Sequence, residues 1–393
     1  MNAAVSTGPR PLFQIWPELE QSLGFLALGD FPTPIEPLTG LAPGAGLGGD
    51  TYVKRDDLSA AIYGGNKVRT LEALFGQARR EGHSTIVATG AYGSNHAVAT
   101  ALHARRAGFC SQVALFPQPY SLAAMENLRV SLTQADEVTD LLHWSVLPPW
   151  MWRRSRAAPA FVMPPGGAIP RGCLGFLSAG LELALQVDAG ALPPPDEVVI
   201  ALGSTCSSAG LLVGMRLAAR LGIGWGRGRG PASAPRPDPE GSRAPPLLVA
   251  VRVTPWPVTS AFRILNLARR LSTWLHALTR RPELELARAD LACGLLIDGG
   301  ELGRGYGLPT ARGLEAISLL SPFSSVLDTT YSAKSAAGLL GRMRRAPGVV
   351  RVFWSTKSGA PLPDVPEAAL AGAPRRMLRW LERGAARREG QSV

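Results

Sequence analysis

Lysine is scarce in this 393-residue chain: of 41 basic residues four are Lys, at positions 54, 67, 334 and 357, and the rest are Arg. The basic excess over 30 acidic residues gives a formal charge of +11. Its arginines are scattered in pairs such as Arg79-Arg80, Arg105-Arg106 and Arg269-Arg270. No recognised nucleic-acid module accompanies them, so coding bias accounts for the charge as well as selection does, and no nucleic-acid partner is expected. Cysteine is also sparse. Cys110, Cys173, Cys206 and Cys293 lie far apart without a Cys-x-x-Cys pair, which indicates neither a zinc site nor a disulfide framework. His83, His103, His143 and His276 have no partners at ligand spacing, so no metal is expected. No apolar run approaches the ~18 residues of a membrane helix. Residues 1–20 lack a basic segment followed by an apolar one, and the chain reads as soluble and cytoplasmic, with no membrane partner.

What is present is a globular composition, 46% hydrophobic and 18% charged, long enough for about two domains. Residues 1–50 are punctuated by Pro and Gly and read as a meandering segment. A strand over Thr51–Arg55 precedes a helix from Asn66 to Glu81. The β-branched stretch Ser84–Gly90 then leads through a turn into a helix over His96–Ala107, and Gln112–Phe116 is a further strand. Pro, Trp and Arg break the pattern between Pro148 and Pro165, where Trp150-Met151-Trp152 reads as packing or a lid over a cleft. A helix over Gly175–Gln186 follows, then a strand over Glu197–Leu202, a helix over Ser208–Leu221 and a strand over Leu247–Val253. Residues 222–246 read as a low-complexity surface insertion, and the end from Arg375 as a basic, solvated helix or tail. Strands alternating with helices predict an α/β fold with parallel sheets.

Two strand-turn-helix units share one design. The strand ending at Gly90 enters a helix through Gly93-Ser94-Asn95, and the strand before Gly203 does so through Ser204-Thr205-Cys206-Ser207. Each helix N-terminus offers unpaired N–H groups and the positive end of a dipole, so each is a candidate anion cradle. Simple capping by Ser and Asn is the alternative. Neither turn is a nucleotide P-loop, since Gly-Lys-Ser/Thr is absent. In Gly64-Gly65-Asn66-Lys67-Val68-Arg69, Asn66 can cap a helix whose first turn carries Lys67. The dipole opposes an ammonium there, which favours the free amine and suits it to carbonyl chemistry that Arg cannot perform.

Taken together and in order, Gly64–Arg69 with Leu71-Glu72, Gly93-Ser94-Asn95-His96, Ala201–Ser204 through Ala209-Gly210-Leu211, Gly305-Tyr306-Gly307-Leu308-Pro309 and Asp328–Lys334 resemble the family of 1-aminocyclopropane-1-carboxylate deaminase and D-cysteine desulfhydrase, which depends on pyridoxal 5'-phosphate. The likeness spans roughly Tyr52 to Gly359. It implies the tryptophan-synthase-β-like fold called fold type II: two open parallel-sheet αβα domains with the active site in the cleft between them. Residues 1–68 and 190–393 would form the larger, cofactor-binding domain and 69–189 the smaller one. A homodimer is the expectation, because homodimers are common for this fold.

The resemblance also implies roles. Lys67 would hold the cofactor's aldehyde carbon and later move the substrate's α-proton. Gly203, Ser204, Thr205, Cys206 and Ser207 would hold its phosphate, Asn95 would face its phenolic oxygen, and Ser332 would stand against its pyridine nitrogen. Ser94, Asn95 and His96 would take the carboxylate of a small amino-acid substrate through their N–H groups and the Ser94 hydroxyl. Tyr306 and Tyr331 would flank that substrate, and Ser94, Tyr306 and Tyr331 would join Lys67 in catalysis. The cyclopropane deaminases have a carboxylate where Ser332 stands, and an apolar residue where Thr356 stands. A hydroxyl protonates the ring less well. The expected chemistry is therefore β-elimination of the desulfhydrase type, giving pyruvate, ammonia and sulfide. The alternatives are the cyclopropane deaminase reaction or a cofactor-binding homologue with lost or altered catalysis.

Two stretches depart from the family pattern. A glycine is usual where Thr205 or Cys206 stands, and a His-Thr-Gly-Gly-like turn is usual where Ser355-Thr356-Lys357-Ser358-Gly359 stands.

Overall fold

The structure, a computed structural model, describes residues 10–39, 50–157, 160–225, 245–320 and 326–389. Among the described residues ten strands run in chain order: β1 (Ile35–Pro37), β2 (Thr51–Lys54), β3 (Thr85–Ala91), β4 (Cys110–Phe116), β5 (Glu137–Asp140), β6 (Ala160–Val162), β7 (Glu197–Leu202), β8 (Leu247–Arg252), β9 (Leu295–Asp298) and β10 (Arg351–Trp354). They form a six-stranded sheet, order β1-β2-β10-β7-β8-β9, and a four-stranded sheet, order β5-β4-β3-β6. All pairings are parallel except β1 with β2. Parallel strands need crossover helices, which cover both faces and explain why β7 and β8 read as continuous apolar runs.

Alternation along each strand divides the larger core. Val198, Ile200 and Leu202 of β7 pack with Phe176 and Leu177 of the Leu174–Asp188 helix and with Ala209 and Leu212 of the Cys206–Arg220 helix. Val199, Val249 and Phe353 point the other way, toward Ala336 and Leu340 of the Ser332–Arg345 helix. The Leu174–Asp188 helix, expected with residues 69–189, therefore shares its core with the larger sheet. The smaller sheet packs Ile86, Ala88 and Val113 against Leu74 and Phe75 of the Asn66–Arg80 helix and Val98 and Leu102 of the Asn95–Arg106 helix.

Several local expectations need correction. The helix expected from Ser208 starts at Cys206, so Cys206 and Ser207 lie in its first turn. Pro148 and Pro149 do not break the chain but sit in the first turn of a helix, Leu147–Arg154, where a missing N–H costs nothing. Trp150 and Met151 of that helix pack on Leu141 and Leu147, while Trp152 is exposed. Most of the expected insertion, 226–244, lies outside the described residues; at its edge Trp225 is buried and donates to the Met215 carbonyl at 3.2 Å. The C-terminal helix, Arg375–Glu389, is not solvated all round. Met377 and Leu381 enter the smaller core, and Trp380 donates to the Gln118 carbonyl at 2.9 Å.

The helix that carries Lys67 is anchored by a buried charge cluster. Arg69 bonds both Asp56 oxygens at 2.8 Å and reaches Glu182 at 2.9 Å, while Lys54 also pairs with Glu182 and Trp354 donates to Asp56. Burial alone would raise the Glu182 carboxyl, yet Arg69 and Lys54 hold it down to about 2. Four segments distant in sequence thus meet beneath the Gly64–Lys67 loop, with each buried charge paired.

Candidate active site

Lys67 is the second residue of its helix, after Gly65 (φ 84°) as N-cap and Asn66. Asn66 does not cap; its side chain donates instead to Ser207 Oγ at 3.2 Å, tying the lysine loop to the 203–207 turn. The Lys67 amine has no hydrogen-bond partner among the described residues. Burial depresses its pKa, opposed by the nearby Cys206 thiol, so desolvation does what the helix dipole alone was expected to do. A Cβ added to Gly166 would stand 2.3 Å from Ser204 Oγ and 3.7 Å from Lys67 Nζ. Those two polar atoms are therefore no farther apart than the two distances together.

The 203–207 turn is built for a guest. Thr205 is left-handed (φ 73°, ψ −19°), and no side chain caps the helix that follows. Among the described residues the N–H groups of Ser204, Thr205, Cys206, Ser207 and Ser208 meet no acceptor. Such a run of convergent donors is an anion nest. Thr205 adopts the conformation that makes a glycine usual here, at a cost of about 1–2 kcal/mol for a residue with a Cβ. Cys206 is fully buried, 3.2 Å from the Gly167 carbonyl and 3.7 Å from Cys173 Sγ.

The 93–96 turn is different. Ser94 is a true N-cap, accepting from Ala97 N at 3.3 Å, and its own N–H is used by Ala91 O at 3.0 Å. This corrects the expectation that the Ser94 N–H is free for a carboxylate; among the described residues only the Asn95 and His96 N–H groups are left. Gly93 N donates to Gln118 Oε1 at 3.1 Å. Asn95 Oδ1 accepts from Tyr63 Oη at 3.0 Å and Asn127 Nδ2 at 2.7 Å, which leaves its own amide N–H₂ free to donate. His96 is buried with both ring nitrogens unpartnered, and burial beside Lys67 pushes its pKa down to about 3.

Across the cleft from Gly93, Asn95 and Asn127 stand Asp328, Thr330 and Tyr331. The Tyr306 and Tyr331 hydroxyls bond one another, and burial raises the Tyr306 phenol to about 12. The Tyr331 ring lies 3.3 Å from where a Cβ on Gly203 would stand. Ser332 Oγ is 2.9 Å from Asp328 Oδ2 and 3.1 Å from the Val326 carbonyl, and accepts from Asp328 N at 2.7 Å. Thr356 enters through its carbonyl, which accepts from Asn66 N at 3.0 Å. Gly93, Asn95, Asn127, Asp328, Thr330 and Tyr331 line one crevice, and the Lys67 loop is tied to Ser207 and to the Thr356 carbonyl. Tyr63, Gln118, Asn127 and Asp328 were missed as participants. Asp328 stood inside the Asp328–Lys334 motif without being given a role, and Tyr63 adjoins Gly64; Gln118 and Asn127 had no signal.

The chain matches the family described as pyridoxal-phosphate dependent enzyme over residues 26–353. It belongs to that family. Nocardicin C-9' epimerase of Nocardia uniformis subsp. tsuyamanensis is 31% identical over 336 residues, 83% of this chain and 90% of that protein. The fold is similar to that of a solved ACC deaminase homologue, with TM-score 0.63, 23% identity and coverage of 95% of this chain and 99% of the other. A hydrogen sulfide-producing enzyme from Fusobacterium nucleatum superposes with TM-score 0.52 at 14% identity, over 85% of this chain and 96% of that one. The enzyme is thus fold type II, and its residues fit the cofactor. An unpartnered, desolvated amine faces a nest of unfilled N–H donors within the span of one vitamin-sized molecule, and the glycine between them leaves the space a Cβ would fill.

Proposed function

We propose that the enzyme is a lyase of small amino acids that removes the α-proton and expels a β-substituent, as a D-cysteine desulfhydrase does. The observation that carries this is the Lys67 amine, half-buried, without a hydrogen-bond partner among the described residues and depressed in pKa by desolvation. The 204–208 N–H groups would hold the cofactor phosphate, the Asn95 amide would donate to its phenolic oxygen, and Ser332 would meet its ring nitrogen. When bound, the cofactor supplies an electron-withdrawing ring that acidifies the α-C–H of the attached amino acid. The substrate carboxylate would be received by the Asn95 and His96 N–H groups and the Ser94 hydroxyl at a helix N-terminus. Lys67 Nζ, whose charged form burial disfavours, would take the α-proton. The neutral His96 ring adds no competing positive charge beside it. The thiol leaves from Cβ, and water releases pyruvate and ammonia.

Ser332 favours elimination over ring opening of a cyclopropane. A hydroxyl held between Asp328 and the Val326 carbonyl would keep a proton on the ring nitrogen less well than a carboxylate there would. A second reading, epimerisation at a carbon bearing an amino group, is favoured by the epimerase that is 31% identical; it shares the proton removal but returns the proton.

The test is to incubate holoenzyme with D-cysteine, D-serine, L-serine and the cyclopropane amino acid, following pyruvate, ammonia, sulfide and substrate chirality. Sulfide and pyruvate from D-cysteine are expected. Inverted substrate without pyruvate would replace elimination by epimerisation, and no reaction from any of them would leave a binding protein. Lys67→Ala should lower turnover by at least about a thousand-fold and abolish the visible absorbance of the bound cofactor; normal turnover in that variant ends the proposal.

A further inference from the structure

The enzyme has only four lysines, and two of them, Lys67 and Lys357, lie on segments that pack against one another. Lys357 lies in the turn that departs from the family pattern. That turn is pressed against the Lys67 loop: Gly64 N donates to Ser358 Oγ at 2.9 Å, and a Cβ on Gly65 would stand 2.6 Å from the Thr356 carbonyl. Among the described residues the half-buried Lys357 ammonium makes one long hydrogen bond, 3.4 Å to Tyr63 Oη, and it lies 5.3 Å from the centre of that ring. Tyr63 in turn donates to Asn95. No carboxylate reaches Lys357 at ion-pair distance among the described residues. The acids that face it are Asp328 and Glu126, and both Asp328 oxygens are already engaged by Thr330 N, Tyr331 N and Ser332 Oγ. An ammonium has three donors. Two of these are unfilled beside the amide expected to face the cofactor.

We propose that Lys357 is the specificity-determining residue of this cleft and that it receives a negative charge on the substrate's β-substituent, such as the thiolate leaving a cysteine or the side-chain carboxylate of an acidic amino acid. The proposal rests on the lyase reading for the location of the substrate, not for its chemistry. The two lysines are tuned in opposite directions. Burial works against the charge on Lys357, but Tyr63 and Asp328 outweigh it and its pKa is raised, whereas burial at Lys67 prevails. One amine is suited to nucleophilic and basic work and the other to holding an anion.

The experiment measures binding of two unreactive substrate mimics, succinate and butyrate, to holoenzyme by calorimetry. They share the α-carboxylate and differ in whether the side chain ends in an anion. Succinate should bind at least ten-fold more tightly. Lys357→Met should erase that advantage while retaining the cofactor, as judged by its absorbance, and Lys357→Arg should keep part of it. Equal binding of the two mimics by the unaltered enzyme, or an advantage that survives in Lys357→Met, overturns the proposal. If succinate is preferred but D-cysteine yields neither sulfide nor pyruvate, the elimination reading fails and the role of Lys357 stands. Turnover of D-cysteine against D-aspartate in unaltered and Lys357→Met holoenzyme then separates a departing thiolate from a retained carboxylate.

Discussion

The two strand-turn-helix units read alike in sequence, a small-residue turn entering a helix, yet they treat their backbone donors in opposite ways. At 93–96 the turn satisfies itself: Ser94 caps the helix, Ala91 takes the Ser94 N–H and Gln118 takes that of Gly93. At 203–207 the turn holds Thr205 in a left-handed conformation and leaves a run of donors unfilled. A self-capped turn can lend a few donors to a ligand that comes and goes. An uncapped one suits a resident anion, whose binding free energy offsets the strain.

The strongest way to break this comparison is to place the same acid in each turn. Asp is tolerated near a helix N-terminus, so both variants should fold. Ser207→Asp should weaken cofactor retention on the order of 100-fold, about 2.7 kcal/mol, in a fluorescence titration. Ser94→Asp should retain the cofactor and raise the KM for substrate instead; equal loss of cofactor in both would erase the distinction between the turns.

The next effect concerns pH. His96 titrates near 3 when folded and near its ordinary value of 6.5 when unfolded, so the unfolded chain binds more protons between those values. Its contribution is complete above 6.5 and declines as pH falls, by about 2 kcal/mol at pH 5. Urea unfolding as a function of pH should show that slope, and His96→Gln should flatten it. Smaller again is the effect of the support behind the self-capped turn. Gln118→Ala should raise KM on the order of ten-fold with the cofactor retained. The smallest effect sharpens the strain argument: Thr205→Gly should stabilise the protein by less than about 1 kcal/mol, because relief of the left-handed Cβ clash exceeds the added freedom of the unfolded chain. A lower melting temperature in that variant would show that Thr205 is not strained.

Much of this was legible in the sequence where the signal was local. The apolar run of β7, the punctuation around Gly90 and Gly203 and the singular Lys67 each announce themselves within a few residues. The expectation for Ser332 came only from an ordered set of motifs. What was not legible depends on distance. The Ser94 N–H is consumed by Ala91, a detail of turn geometry, and Asn66 turns from its helix toward Ser207, 141 residues away. Prolines at 148 and 149 read as breakers because periodicity does not reveal that they sit in a first turn. The basic C-terminal stretch looked solvated because Met377, Trp380 and Leu381 form too narrow a stripe to outweigh the arginines around them.

That C-terminal stretch reaches farther than its position implies. Trp380 holds the main chain of Gln118, and the side chain of Gln118 holds Gly93. Two hydrogen bonds therefore join the Arg375–Glu389 helix to the loop that would greet the substrate. Loss of the Arg375–Glu389 helix would be felt at the 93–96 turn without touching any group proposed to perform the chemistry.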